Sequence, residues 1–166
     1  MIPESFFEEA LRLAELAAQN GEVPVGALVC EKSEKGWKII GRGQNAIVGT
    51  RDASGHAELT AIREACAYQK SERLSGCILI SSLEPCLMCT GVALLARVEH
   101  VYFFTPVFTG IGMREILSYA DKSDSPINHS PGIELVEKYQ ESSAGLIRSF
   151  FQQKRKNRQI LETEKI

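Results

Sequence analysis

The sequence predicts an α/β protein: a three-layer α/β/α sandwich around a central mixed, mostly parallel sheet of about five strands. Two observations carry this expectation. Short apolar, β-branched runs alternate with longer stretches of helical periodicity, and a β–α–β–α–β order builds a parallel sheet with helices on its faces. The 166 residues, 44% hydrophobic and without an internal repeat, low-complexity tract or Pro/Gly-rich linker, suit one domain with one core.

The elements follow in order. Ser5 and Glu8 have the spacing of a capping box, and Phe6, Ala10, Leu13, Leu16 and Ala17 then recur at helical intervals until Asn20-Gly21. V-P-V-G-A-L-V-C (23–30) reads as a strand, the polar E-K-S-E-K-G (31–36) as a hairpin turn, and W-K-I-I-G-R-G (37–43) as its partner strand. A loop spans 45–55, and from His56 the periodicity is helical, with Leu59, Ile62, Ala65 and Cys66 on one face. G-C-I-L-I-S-S (76–82) is a buried strand, C-L-M-C-T-G-V-A-L-L-A (86–96) an apolar helix, and V-E-H-V-Y-F-F (98–104) another strand. Beyond Thr105 we place a helix near 112–120, the polar loop D-K-S-D-S-P, a short strand near 132–137 and a last helix over 139–159. The domain therefore spans 1–159, with 160–166 a frayed tail.

Bulk properties exclude several classes. No run approaches the roughly 20 apolar residues of a membrane span, and the N-terminus M-I-P-E-S-F-F-E-E-A is acidic where a signal peptide is basic. The expected location is the cytoplasm. A net charge of −2 offers no general attraction to nucleic acid. Arg148, Lys154, Arg155, Lys156 and Arg158 nevertheless crowd near the C-terminus, as a phosphate-contacting patch or as the solvated face of a helix. Five cysteines, an odd number in a cytoplasmic chain, argue against a disulfide framework. Cys30, Cys66 and Cys77 read as buried thiols, and only Cys86 and Cys89 have a motif-like spacing.

Cys86 and Cys89 stand behind Pro85, where a strand gives way to a helix. Exposed N–H groups at a helix start favour thiolates, and positions three apart share a helix face, so both sulfurs can reach one metal. A structural zinc site needs two further ligands at matching spacing, and none is present. His56 also begins a helix after a strand and loop, and such junctions open on the C-terminal edge of a parallel sheet. His56, Cys86 and Cys89 would then supply three ligands and leave a position for water, whose pKa zinc lowers toward about 7. Glu58 is the proton shuttle, provided His56 sits in the irregular first turn with Glu58 just inside the helix. A thioredoxin-like thiol pair is the competing reading of C-L-M-C, and it leaves His56 and Glu58 without a role. His100 and His129 read as ordinary surface or core histidines.

H-A-E followed by P-C-L-M-C is the signature of zinc-dependent nucleobase deaminases. The chain resembles the cytidine deaminase-like superfamily, and within it the bacterial tRNA adenosine deaminases that form wobble inosine. E-V-P-V-G-A (22–27), G-R-G-Q-N (41–45), D-A-S-G-H-A-E (52–58), S-L-E-P-C-L-M-C-T-G (82–91), S-P-I-N-H (125–129) and S-F-F-Q-Q-K-R (149–155) are similar to that family's motifs. The resemblance implies zinc, one per subunit, on His56, Cys86 and Cys89, with Glu58 as the catalytic acid/base. It implies substrate contacts from Asn45, Ala57 and Asn128, and RNA contacts from Phe150, Phe151, Lys154 and Arg155. It implies a homodimer and a target adenosine splayed out of a tRNA anticodon loop. One stretch departs from the family: F-F-T-P-V-F-T-G-I-G (103–112) is apolar where relatives carry Asp and Lys.

The main functional reading is a hydrolase that converts adenosine to inosine in a tRNA anticodon and releases ammonia. A deaminase of a free nucleobase or nucleoside, of guanine, cytosine or cytidine type, is the alternative that the apolar 103–112 stretch raises. A silent RNA-binding paralogue is the third reading, and the intact Glu58 speaks against it.

Overall fold

The structure, a computed structural model, describes residues 1–119 and 128–163. Among these residues five strands form one sheet in the order β2-β1-β3-β4-β5: β1 (Gly26–Ser33), β2 (Gly36–Gln44), β3 (Cys77–Leu83), β4 (His100–Thr105) and β5 (Gly132–Leu135). β1 runs antiparallel to both β2 and β3, whereas β3–β4 and β4–β5 are parallel. The sheet is mixed as expected, but parallel pairings make up half of it rather than most, because β1 lies antiparallel to β3 as well as to its hairpin partner β2. Two reversals leave β2 pointing the same way as β3, so the C-terminal ends of β2, β3 and β4 share one edge with the start of β1.

Helices cover both faces, giving three layers. On one face α1 (Glu4–Gln19) places Ala10 and Leu13 against Leu28, Ile78, Ile80 and Phe104. The last helix, α6 (Gln140–Thr163), packs beside α1 and is longer than the expected 139–159. On the other face α3 (Ala57–Gln69), α4 (Leu87–Leu95) and α5 (Met113–Ser118) bury Ala61, Ile62, Ala65, Ala93, Met113 and Leu117 over Val29, Leu79 and Val101. A short α2 (Ile47–Thr50) stands in the expected 45–55 loop.

Several boundaries differ for local reasons. Pro3 precedes the first helical residue of α1 and no side chain caps it, so Ser5 and Glu8 make no capping box. β1 begins three residues later than expected and runs on through Glu31, Lys32 and Ser33, since these polar residues pair with Lys38, Trp37 and Gly36 across the hairpin. The polar loop expected at 121–126 lies outside the described residues.

Close backbone approach fixes α3 on β2. A Cβ at Gly43 would lie 1.9 Å from the Ala57 carbonyl oxygen, and one at Gly41 would lie 2.1 Å from that of Ala61. Only glycine permits this contact, which presses the first turn of α3 onto the sheet edge where β2 ends.

Candidate metal centre and active site

Three chain turns meet at that edge. His56 is the N-cap of α3, with extended backbone at φ −81° and ψ 146°, and Cys86 is the N-cap of α4 at φ −72° and ψ 176°. Cys89 lies one turn inside α4 and is fully buried. The structure brings His56, Cys86 and Cys89 together, their ligand atoms all within 4.8 Å of one another. His56 Nδ1 is 3.7 Å from Cys86 Sγ and 3.5 Å from Cys89 Sγ. The sulfurs and the imidazole share one acidic hydrogen-bonding unit. Hydrogen bonding from Cys89 and His56 holds the Cys86 thiol down to about 3. The Cys89 thiol, hydrogen-bonded to Cys86 and buried, is pushed well above its ordinary value. Two sulfurs and one imidazole nitrogen, collected at two helix starts, form a donor set suited to zinc.

Glu58 is the second residue of α3, so its side chain sits just inside the turn that His56 begins. It is 3% exposed, and its Oε2 is buried without a hydrogen-bond partner among the described residues. Burial pushes its carboxyl up to about 7. An unpaired buried carboxylate oxygen is costly unless a ligand or substrate meets it. Here it lines a cavity of about 160 Å³ together with Asn45, His56, Cys86, Val25 and Leu83.

Asn45 follows β2 and is itself buried. Its Oδ1 accepts the Ala57 N–H at 3.0 Å, which turns its amide NH2 into the end left to donate elsewhere. Ala57 is fully buried and its N–H is committed to Asn45, so it orients Asn45 rather than offering that N–H to a bound molecule.

Asn128 is not brought to this cavity. It is exposed, its carbonyl accepts from Arg97 Nη1 at 3.1 Å, and it lines a separate groove of about 920 Å³ beside α3 and α4. The reason is topological. Residues 128–131 lead into β5, which is parallel to β4, so they lie at the N-terminal edge of those strands. His129 is structural there, with Nε2 at 2.7 Å from the Val98 carbonyl oxygen.

The α6 residues divide. Phe151 and Arg155 line a groove of about 540 Å³ that shares Val23, Leu83 and Val107 with the Glu58 cavity. Phe150 and Lys154 face another groove, against the end of α1, where the Lys154 ammonium lies 5.3 Å from the centre of the Phe150 ring.

Glu84 is the residue that sequence reasoning missed. It is 2% exposed and lines the Glu58 cavity. Its Oε1 accepts the Arg114 N–H at 2.9 Å and Nε at 3.1 Å, and its Oε2 accepts the Val107 N–H at 3.2 Å and Arg114 Nη2 at 3.0 Å. Burial alone would raise its carboxyl, but these donors hold it below the ordinary value. A Cβ at Gly112 would strike the Glu84 carboxylate at 2.6 Å, so the closure also needs that glycine. The Met113 N–H donates to the Pro85 carbonyl at 3.0 Å, and Cys86 forms a β-bridge with Gly112. Residues 107–114 are thereby stapled to the turn that presents Cys86. An acidic residue directly before Pro85 at an apolar strand end was the available signal.

Comparison with known proteins follows the same lines. The family model of the cytidine and deoxycytidylate deaminase zinc-binding region matches residues 2–105. Over 154 residues the chain is 34% identical to a tRNA-specific adenosine deaminase of Aquifex aeolicus, covering 93% of this chain and 97% of the relative. A structure solved in work on A-to-I editing by tRNA:A34 deaminases at the wobble position of transfer RNA superposes with a TM-score of 0.77. That match is 28% identical and covers 87% of this chain and 99% of the other. A guanine deaminase from Bacillus subtilis superposes with a TM-score of 0.59 at 30% identity, covering 90% of this chain and 95% of that one.

Proposed function

The chain belongs to the zinc-binding cytidine and deoxycytidylate deaminase family, and from that premise we propose that it converts adenosine to inosine at the wobble position of a tRNA anticodon. His56, Cys86 and Cys89 would hold one zinc ion per subunit. When bound, zinc supplies Lewis-acid activation of water. The observation that carries the reading is Glu58, whose buried Oε2 has no hydrogen-bond partner among the described residues and which lines the same cavity as His56 and Cys86.

Glu58 does the proton work. In the overall change, the adenine C6–N6 bond breaks and a C6–O bond forms with the oxygen of water. One proton of that water leaves on ammonia, and the other remains on the ring. A single carboxylate in reach of both sites can take the proton from water and return it to the departing nitrogen. Asn45, held by the Ala57 N–H, directs its NH2 donors toward a ring-nitrogen acceptor of the purine. Leu83, Val25 and Val107 exclude water around that ring. The match to the Aquifex aeolicus relative over nearly its whole length supports tRNA as the substrate class.

The coarser surroundings fit this reading. One domain over 1–159 carries the site, and a tRNA substrate implies the cytoplasm. No helix among the described residues is long and apolar enough to cross a membrane. A homodimer is supported by α4, whose Leu87 and Leu95 are 60% and 79% exposed along one apolar face. A second copy of the chain is the partner we assign to it.

A second reading, a deaminase of free guanine, is favoured by the likeness to the Bacillus subtilis enzyme and by the apolar wall at Val107. Purified protein incubated with an anticodon stem-loop RNA and, separately, with guanine, cytidine and adenosine decides between them. Inosine in the RNA is the expected result. Product from free substrates alone would overturn the tRNA reading.

A further inference from the structure

Glu22 has no part in the chemistry above, yet it is 3% exposed, and a carboxylate withdrawn from water is costly unless donors meet it. Two donors reach it, both from α2. Its Oε1 accepts the Gly49 N–H at 2.7 Å and its Oε2 accepts the Val48 N–H at 3.1 Å. Glu84 repeats the arrangement. It too is buried, and it accepts the Val107 N–H and both the backbone N–H and the guanidinium of Arg114.

Sheet order explains the pairing. The strands next to the Glu58 cavity run β2-β1-β3-β4. The two inner strands supply the carboxylates, Glu22 shortly before β1 and Glu84 directly after β3. The two outer strands lead into the gripped segments, β2 into α2 and β4 into residues 106–112. Each inner carboxylate thus holds the segment that leaves its outer neighbour. Both segments line the cavity, one with Ile47, the neighbour of the gripped Val48, and the other with Val107 itself. Moving either segment outward would strand a buried carboxylate without its donors, which costs more than the hydrogen bonds themselves are worth. The separation of Ile47 and Val107 is therefore fixed before a ring arrives. The cavity holds about 160 Å³, well under the roughly 300–1,000 Å³ of ordinary ligand pockets. In so small a space a fixed separation is a test of size.

We infer that Glu22 and Glu84 are positioning residues that together set the separation of Ile47 and Val107, and that this separation selects the target ring by size. The inference rests on the reading of the cavity as the site of the target base. Amide hydrogen exchange reads the frame directly. Glu22→Gln keeps the size of the side chain but turns one acceptor into a donor, so the Val48 and Gly49 amides should exchange about tenfold faster. Val107 and Arg114 should keep their wild-type rates in that variant. Glu84→Gln should give the reverse pattern. Unchanged exchange at the gripped amides overturns the frame.

Kinetics read the selection, on anticodon stem-loops carrying either adenosine or the bulkier 2,6-diaminopurine riboside at the target, with inosine or guanosine as product. The wild-type kcat/KM should favour adenosine about tenfold, the order of one misfitting group in an apolar pocket, and each of the two variants should narrow that preference to about threefold. Zinc content should not change. Val107→Ala opens the wall itself and should narrow the preference too. Glu84→Gln added to Val107→Ala should narrow it no further, whereas Glu22→Gln added to Val107→Ala should. Carboxylates that only stabilise the fold would leave the ratio at its wild-type value in both single variants, and that result overturns the selection. So do equal wild-type kcat/KM values for the two rings. If the wild type deaminates neither stem-loop, the reading of the cavity falls and ring selection falls with it, while the exchange rates still decide whether the two carboxylates hold their segments.

Discussion

His56 and His129 both stand in loops beside the same sheet, one at the C-terminal edge of β3 and β4 and the other at their N-terminal edge. At the first edge three chain turns converge, two of them helix starts, and their side chains turn toward one another, with His56 Nδ1 3.7 Å from Cys86 Sγ and 3.5 Å from Cys89 Sγ. At the second, a loop returns to begin β5, and its polar groups are spent internally: His129 Nε2 on the Val98 carbonyl oxygen, and the Asn128 carbonyl on the Arg97 guanidinium. The same residue type is a candidate ligand at one edge and a fastener at the other. The difference comes from what each edge gathers, since helix N-termini collect where strands end.

This contrast can be broken by experiment. Glu58→Ala should lower single-turnover deamination by roughly 10²–10⁴-fold, the usual worth of a positioned acid/base, while metal analysis still finds zinc. Near-normal turnover would remove Glu58 from its role. Cys86→Ser should take the zinc content of purified protein from one per chain toward none. Unchanged metal content would show that the ligand set at the C-terminal edge is wrong.

The smaller effects sharpen the comparison. Glu84→Gln removes the charge that four donors converge upon. With Arg114 half exposed, the expected loss of stability is about 2 kcal/mol, seen as a fall in Tm of roughly 4–8 °C. His129→Ala should cost about 1 kcal/mol in thermal or denaturant unfolding, one half-buried hydrogen bond, with zinc content and kcat unchanged. Asn128→Ala should leave KM and stability at wild-type values, because the hydrogen bond it makes among the described residues, from Arg97, uses its backbone carbonyl.

The candidate ligands were legible in the sequence because their signals are local. Each is a polar or sulfur residue at the junction of a strand-like run and a helical period, and that junction dictates both the helix start and the sheet edge. Glu58 was legible by the same logic, being two residues past His56. Strand limits were less so. β1 extends into polar residues because its outer end faces solvent, and hydrophobicity cannot mark an end that β2 pairs regardless. Asn128 was carried by resemblance of S-P-I-N-H to a motif, and chain topology places it at the opposite edge from His56, in a separate groove. Phe150 and Phe151 looked equivalent as neighbours in sequence, yet a helix turns about 100° per residue and sends them to different grooves.

From sequence alone came the α/β class, the alternation of elements, the H-A-E and P-C-L-M-C halves of a candidate zinc site and the candidate acid/base beside it. All depend on residue types within a few positions of each other. Tertiary structure decided that β1 reverses against β3, that Glu84 is buried, and that residues 107–109 face α6 across a groove contiguous with the cavity. Those outcomes rest on contacts between residues 23 to 30 positions apart or more, and only the folded chain determines which distant donors reach a given carboxylate.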